Sequence, residues 1–243
     1  AVSNGKRRNN YLLLSTEKIS VEHCHNILLK NSLRTKTLLF SGHFFNNIFI
    51  SITGVYAHPN MNRTEANYNY RVIWPFMDVV AECLPTCQFE PGEKRLQAIS
   101  EELKRQDLAT SHFYNADGVI FDDELGLELA LLETSGPFSL DDPTRETNDH
   151  VKAAYGLLVM LHTIAYKYVY ADADILMRLK VCFVHPAKNR IQVWTFGLVE
   201  KELYVLNRIK SAILQTDSQL GEESIIDMTN AFWDLKVSMA FLQ

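Results

Sequence analysis

Two carboxylates stand at the ends of neighbouring apolar runs in the stretch "YNADGVIFDDELGLELALLETSGPF", residues 114–138: Asp117 opens the first and Glu133 closes the second. A carboxylate beside a buried sheet is costly unless something pairs with it, and a divalent cation is one such partner. Both runs are short and bounded by turn residues, so "ADGVIF" and "LELALLET" are expected as strands joined by the turn "DDELG" at 122–126. Residues two apart on a strand share a face, which groups Glu133 with Ser135, Leu131 and Leu129 and puts Glu128 on the opposite face. Counting back through the turn from Glu133 lands near Asp117, so the two acids are expected side by side at one end of the sheet. Adjacent carboxylates repel unless one is protonated or a cation bridges them. Hard oxygen ligands of this kind suit Mg²⁺ or Mn²⁺, which can activate a water and offset charge building up on a phosphate.

The flanking elements must hold this hairpin. "TEANYNYRVIWPFMDVVAECL" places Val72, Ile73, Phe76, Val79 and Val80 at helical spacing, with Pro75 in the first turn of a regular helix beginning near Trp74. "EPGEKRLQAISEELKRQD" reads as a Pro-Gly turn leading into a surface helix with Leu96, Ile99 and Leu103 on one face. Residues 135–149 read as a loop with two prolines, and 148–168 as a helix apolar on nearly all sides, to be buried against the sheet. "RLKVCFVHP" and "RIQVWTFG" follow as strands, "EKELYVLNRIKSAIL" as a strand, a helix or one after the other, and the tail as an amphipathic helix. The order predicts an α/β fold, a mixed central β-sheet flanked by helices.

Asp117, the hairpin and "LLETS" together resemble the PD-(D/E)XK nuclease superfamily. The run from "NADG" through "LLETSG", "DHVK" and "VWTF" is more particularly similar to nuclease-like domains numerous in some fungal genomes, over about residues 70–213. The resemblance implies a restriction-endonuclease-like core in which Asp117 and Glu133, with the backbone carbonyl of Thr134, hold Mg²⁺ or Mn²⁺. Glu82 on the preceding helix matches the further carboxylate some members use. The lysine of the E-x-K motif is Ser135 in this chain, and a serine cannot carry its charge. A lysine supplied from the following helix is then implied: Lys152, with Asp149 one turn before it. Asp117, Glu133 and Lys152 are the expected catalytic residues, with Glu82, Ser135 and Asp149 accessory. The expected activity is metal-dependent phosphodiester hydrolysis on DNA or RNA, by an active nuclease or a degenerate descendant of one. The alternative is a non-catalytic domain of the same fold that binds a protein partner.

Ordinary roles compete for each residue. Asp117-Gly118 is a common turn signal, Glu133 could bind the amides of the following loop, and Asp149 and Lys152 have the spacing of a surface ion pair. Glu82 lies on an amphipathic helix and is expected to be solvated in that case. His162 fits a core or boundary histidine with one hydrogen bond. His150 is near enough to Lys152 to assist.

The chain of 243 residues is 47% hydrophobic and 22% charged, enough for one sizeable core. We expect a single α/β domain over 61–243, with 1–60 set apart by a different composition rich in Asn, Phe and Ile. A net charge of -5 excludes attraction of nucleic acid over the whole surface, so such binding needs a local basic patch. Cys24, Cys83, Cys87 and Cys182 are too scattered for a disulfide scaffold; free thiols in a reducing compartment are expected. The pair Cys83–Cys87 and the "HCH" of His23–His25 lack the matched second pair of a zinc site. The apolar run 37–59 approaches the length of a membrane span but carries His43, Asn46 and Asn47, so a buried strand is expected and no membrane association. The run after "NGKRRNN" is too short for a secretory signal, which points to an intracellular, nuclear or cytoplasmic protein. No G-x-S-x-G elbow, phosphate-binding glycine loop or dinucleotide fingerprint occurs.

Overall fold

A computed structural model describes residues 62–108, 113–214 and 222–240. His23–His25, Cys24 and the apolar run 37–59 lie outside the described residues.

The chain enters through α1 (Glu65–Tyr68), whose N-cap Thr64 accepts a hydrogen bond from the amide of Asn67. A single π turn (Asn69–Ile73) then leads into α2 (Trp74–Glu82). Pro75 has no amide to give to the preceding turn, and the wider turn just before it is where the helix absorbs that loss. After α2 come β1 (Cys87–Arg95), α3 (Gln97–Arg105), β2 (Asn115–Asp122) and β3 (Leu127–Leu132). The long helix α4 (Pro143–Lys167) and the short α5 (Ala173–Arg178) precede β4 (Val181–Ala187), β5 (Arg190–Glu200), β6 (Leu203–Ile213) and α6 (Glu222–Ala240).

The strands form one six-stranded mixed sheet in chain order, with helices flanking it. Every neighbouring pair is antiparallel except β3 and β4, which are parallel and therefore need the crossover that α4 provides. β3 and β4 bury every residue along their length, as central strands covered on both faces must. α2 and α6 pack on each other through Phe76 and Phe232, stacked at 4.7 Å, while α3 packs on α4. Cys83, Cys87 and Cys182 carry no disulfide.

Three elements differ from the sequence expectation. "EPGEKR" is not a turn before a helix but the end of strand β1, whose pairing with β2 shifts between Pro91 and Lys94 around Gly92 at φ +90°. That bulge is what lets Pro and Gly sit in an edge strand. Residues 203–213, open between strand and helix, are a strand throughout. α4 begins at Pro143, a full turn before the expected start, with Asp142 capping the amide of Arg145.

Candidate functional site

β2 and β3 pair with Gly118 opposite Leu132 and Val119 opposite Leu131. Asp117 is the next residue of β2 and Glu133 the first beyond β3, and the two line one groove at that end of the sheet. Asp117 is therefore a strand residue and not a turn residue. Its neighbour Gly118 serves packing instead: a Cβ there would lie 2.6 Å from the Phe89 ring.

One expectation about the faces fails. The β2–β3 register shifts between Ile120 and Phe121, opposite Ala130 and Glu128, leaving Leu129 as the extra residue of a bulge. Phe121 faces Glu128 across the bulge, which puts Glu128 on the side of Val119 and Leu131. Glu128 accordingly accepts hydrogen bonds from the amides of Gln97 and Ala98 at 2.7 and 3.0 Å, capping α3 from across the sheet.

Beyond Leu132 the chain leaves β2 and follows β4: the amides of Glu133 and Ser135 donate to the carbonyls of Val184 and Pro186. This parallel extension holds "ETS" against α4. Lys152 on α4 donates to Glu133 Oε2 and to the carbonyl of Asn115, both at 2.9 Å, and lies 4.6 Å over the ring of Tyr114. The amide of Thr134 donates to Asp117 Oδ2 at 2.7 Å, and its hydroxyl donates to Asn69 Oδ1 at 2.6 Å. Asp149 and Lys152, whose spacing also allows a surface ion pair, each reach the strand extension instead, at Ser135 and Glu133.

Ser135 sits where the resemblance implies a lysine, and its side chain is enclosed. Its hydroxyl lies 2.6 Å from Asp149 Oδ2 and 2.7 Å from His185 Nε2, with the residue 1% exposed. A hydroxyl has one proton to give, so a consistent chain runs from His185 Nε2–H to Ser135 and from Ser135 to Asp149. Ser, His and Asp thus meet, but the serine is in the middle and closed off, which no hydrolase nucleophile could be. Burial and the neighbouring His150 push the pKa of His185 down to about 3, keeping it neutral.

Asp117, Glu133, Thr134, Asp149 and Lys152 line one groove of about 400 Å³, together with Tyr114, Glu65 and Arg145. Glu82 is not there: it is exposed at the C-terminal end of α2, beside the far end of the sheet, where Cys87 pairs with Asp122. The preceding helix does deliver a carboxylate to the groove, but it is Glu65, which accepts from the amide of Gly136 at 3.0 Å and pairs with Arg145. Arg145, Asp149 and Lys152 fall on one face of α4 at four- and three-residue steps, a stripe hidden from a reading that began the helix at 148. Tyr114 carried no signal beyond its place at the mouth of the first strand.

The groove is electrostatically unbalanced. Burial, and then the Asp117 charge, push the pKa of Glu133 up to about 8 despite Lys152. Burial also raises Asp117, against the lowering effect of the Thr134 amide and Lys152, and Asp149 raises it further. Glu65 is raised by burial and by Asp117. The phenol of Tyr114, raised by burial, by the Glu133 charge and by its hydrogen-bonding contact with Glu133, faces that carboxylate.

Among the described residues no three His, Cys, Asp or Glu side chains form a ready-made ion cage. The donor set nevertheless fits a hard cation. Glu133 and Asp117 offer carboxylate oxygens to the same groove, and the Asp117 charge acts on Glu133. The Thr134 carbonyl accepts from the amide of Gly136 at 3.0 Å and keeps a second lone pair. No family model, curated protein or solved structure matches the chain.

Proposed function

We propose that this chain is a metal-dependent phosphodiesterase of the PD-(D/E)XK type acting on nucleic acid. In this proposal Asp117, Glu133 and the Thr134 carbonyl hold Mg²⁺ or Mn²⁺, and Lys152 takes the part of the motif's missing lysine. The observation that carries it is the 2.9 Å contact of Lys152 Nζ with Glu133, made from a different element than the one where the motif places its lysine. An antiparallel β1–β2–β3 meander followed by a crossover helix and a strand parallel to β3 supports a restriction-endonuclease-like core.

When bound, the cation would supply an activated water and offset charge on the scissile phosphate. The protein's own groups do the positioning. Lys152 spends two of its three N–H bonds on Glu133 and the Asn115 carbonyl, which leaves one for an incoming oxygen. Tyr114 supports the lysine from below, and Arg145 adds a second positive charge along the groove. Burial and Asp117 favour the protonated form of Glu133, so a bound ion would compete with a proton there.

The enclosed Ser135 favours the second reading, a non-catalytic domain of the same fold that binds a protein. Cleavage of labelled DNA and RNA, single- and double-stranded, with Mn²⁺ or Mg²⁺ decides between them. The wild type is expected to cut, and Lys152→Ala to lose about 100-fold or more in rate. No cutting of any substrate, or a Lys152→Ala protein as fast as wild type, overturns the proposal.

A further inference from the structure

Phe113 stands at the rim of the acidic groove with 64% of its surface exposed. The guanidinium of Arg95 lies 5.6 Å from its ring centroid. Arg95 also lines a second groove, of about 430 Å³, together with Lys94 and Lys104. The two grooves therefore meet at the Arg95–Phe113 contact. Strand register explains why: Arg95 on β1 pairs with Asn115 on β2, two residues from Phe113 and two from Asp117.

The second groove brings three cations together on a chain whose net charge is -5. Glu101 also lines it and Lys94 pairs with Glu90 at 2.6 Å, so the local charge is moderate. It suits a flexible backbone in reach of a few cations better than the dense phosphates of a duplex. Phe113 has no hydrogen-bonding group with which to read a base edge. It offers only a ring face, and a ring face can stack only on a base that is not already stacked within a duplex. A second exposed aromatic, Tyr70, packs edge-on against Trp74, whose indole N–H donates to the Asp117 carbonyl at 3.1 Å.

We infer that the strand entering the site is single-stranded, with a base stacked on Phe113 and its backbone running along Lys94, Arg95 and Lys104. This names the substrate class of the proposed nuclease and rests on that proposal for its cleavage step. The binding step stands apart from it.

Fluorescence anisotropy in EDTA, with a labelled oligothymidylate and with the same strand annealed to its complement, tests the binding step without metal or turnover. The single strand is expected to bind about tenfold more tightly than the duplex. Phe113→Ala should weaken it about fivefold or more, with Phe113→Trp restoring it. The Lys94→Ala/Lys104→Ala double variant should bind more weakly and depend less on salt. Equal or tighter duplex binding, an unaffected Phe113→Ala protein, or no binding at all overturns the inference. Strand binding without Mn²⁺ binding would leave it standing and remove the nuclease; Mn²⁺ binding with duplex preference would do the reverse.

Discussion

Glu133 concentrates the cost of the site. It is 2% exposed, feels the charge of the half-buried Asp117, and is offset by Lys152 and the Tyr114 phenol. Its folded-state pKa of about 8 lies above the ordinary 4.5, so the proton it holds favours the folded state. That contribution is complete below about pH 4.5 and is lost as pH rises through about 8. The metal-free wild type should therefore lose melting temperature between about pH 5 and about pH 8, and Glu133→Gln should lose much less. A variant whose melting curve tracks wild type across that range would show that Glu133 is not the strained group. Ser135 carries the opposite lesson. Closed in by Asp149 and His185, it helps anchor α4 to the strand extension while Lys152 faces the groove.

At the scale of elements, α4 sets the geometry because it approaches the sheet at Gly156. A Cβ there would lie 2.5 Å from Tyr114 Cε1 and 3.1 Å from Leu131 Cδ2. Gly156→Ala gains up to about 1 kcal/mol of helix propensity but overpacks a closed contact at a cost of about 1–3 kcal/mol. Net destabilisation in urea unfolding is the expected result; a more stable variant would mean that the helix has room to move off Tyr114. The hairpin acids were legible in the sequence because strand alternation and turn length fix which residues can oppose each other. β1 was not, since Pro91 and Gly92 look like a turn until a bulge absorbs them. The phase of Glu128 was hidden in the same way, because nothing local marks Leu129 as the extra residue. Glu65 and Arg145 reach the groove from elements 80 residues apart, a contact that no local periodicity encodes.

For the whole molecule, the mixed α/β architecture followed from the order of apolar runs, and the sheet supplies what that order could not: one end where β2, the extension of β3 and α4 converge. No described helix is long and apolar enough to cross a membrane. At a net charge of -5, the proposed nucleic-acid binding rests on the neighbourhood of the groove and not on the surface as a whole. The central claim is that Asp117 and Glu133 form a cation site. Titration calorimetry with Mn²⁺ on wild type, Glu133→Gln and Asp117→Asn, with folding of each checked by circular dichroism, tests it most directly. Binding by the wild type that is lost in both folded variants is the predicted result. Absence of binding in the folded wild type, or binding that survives both substitutions, would contradict it.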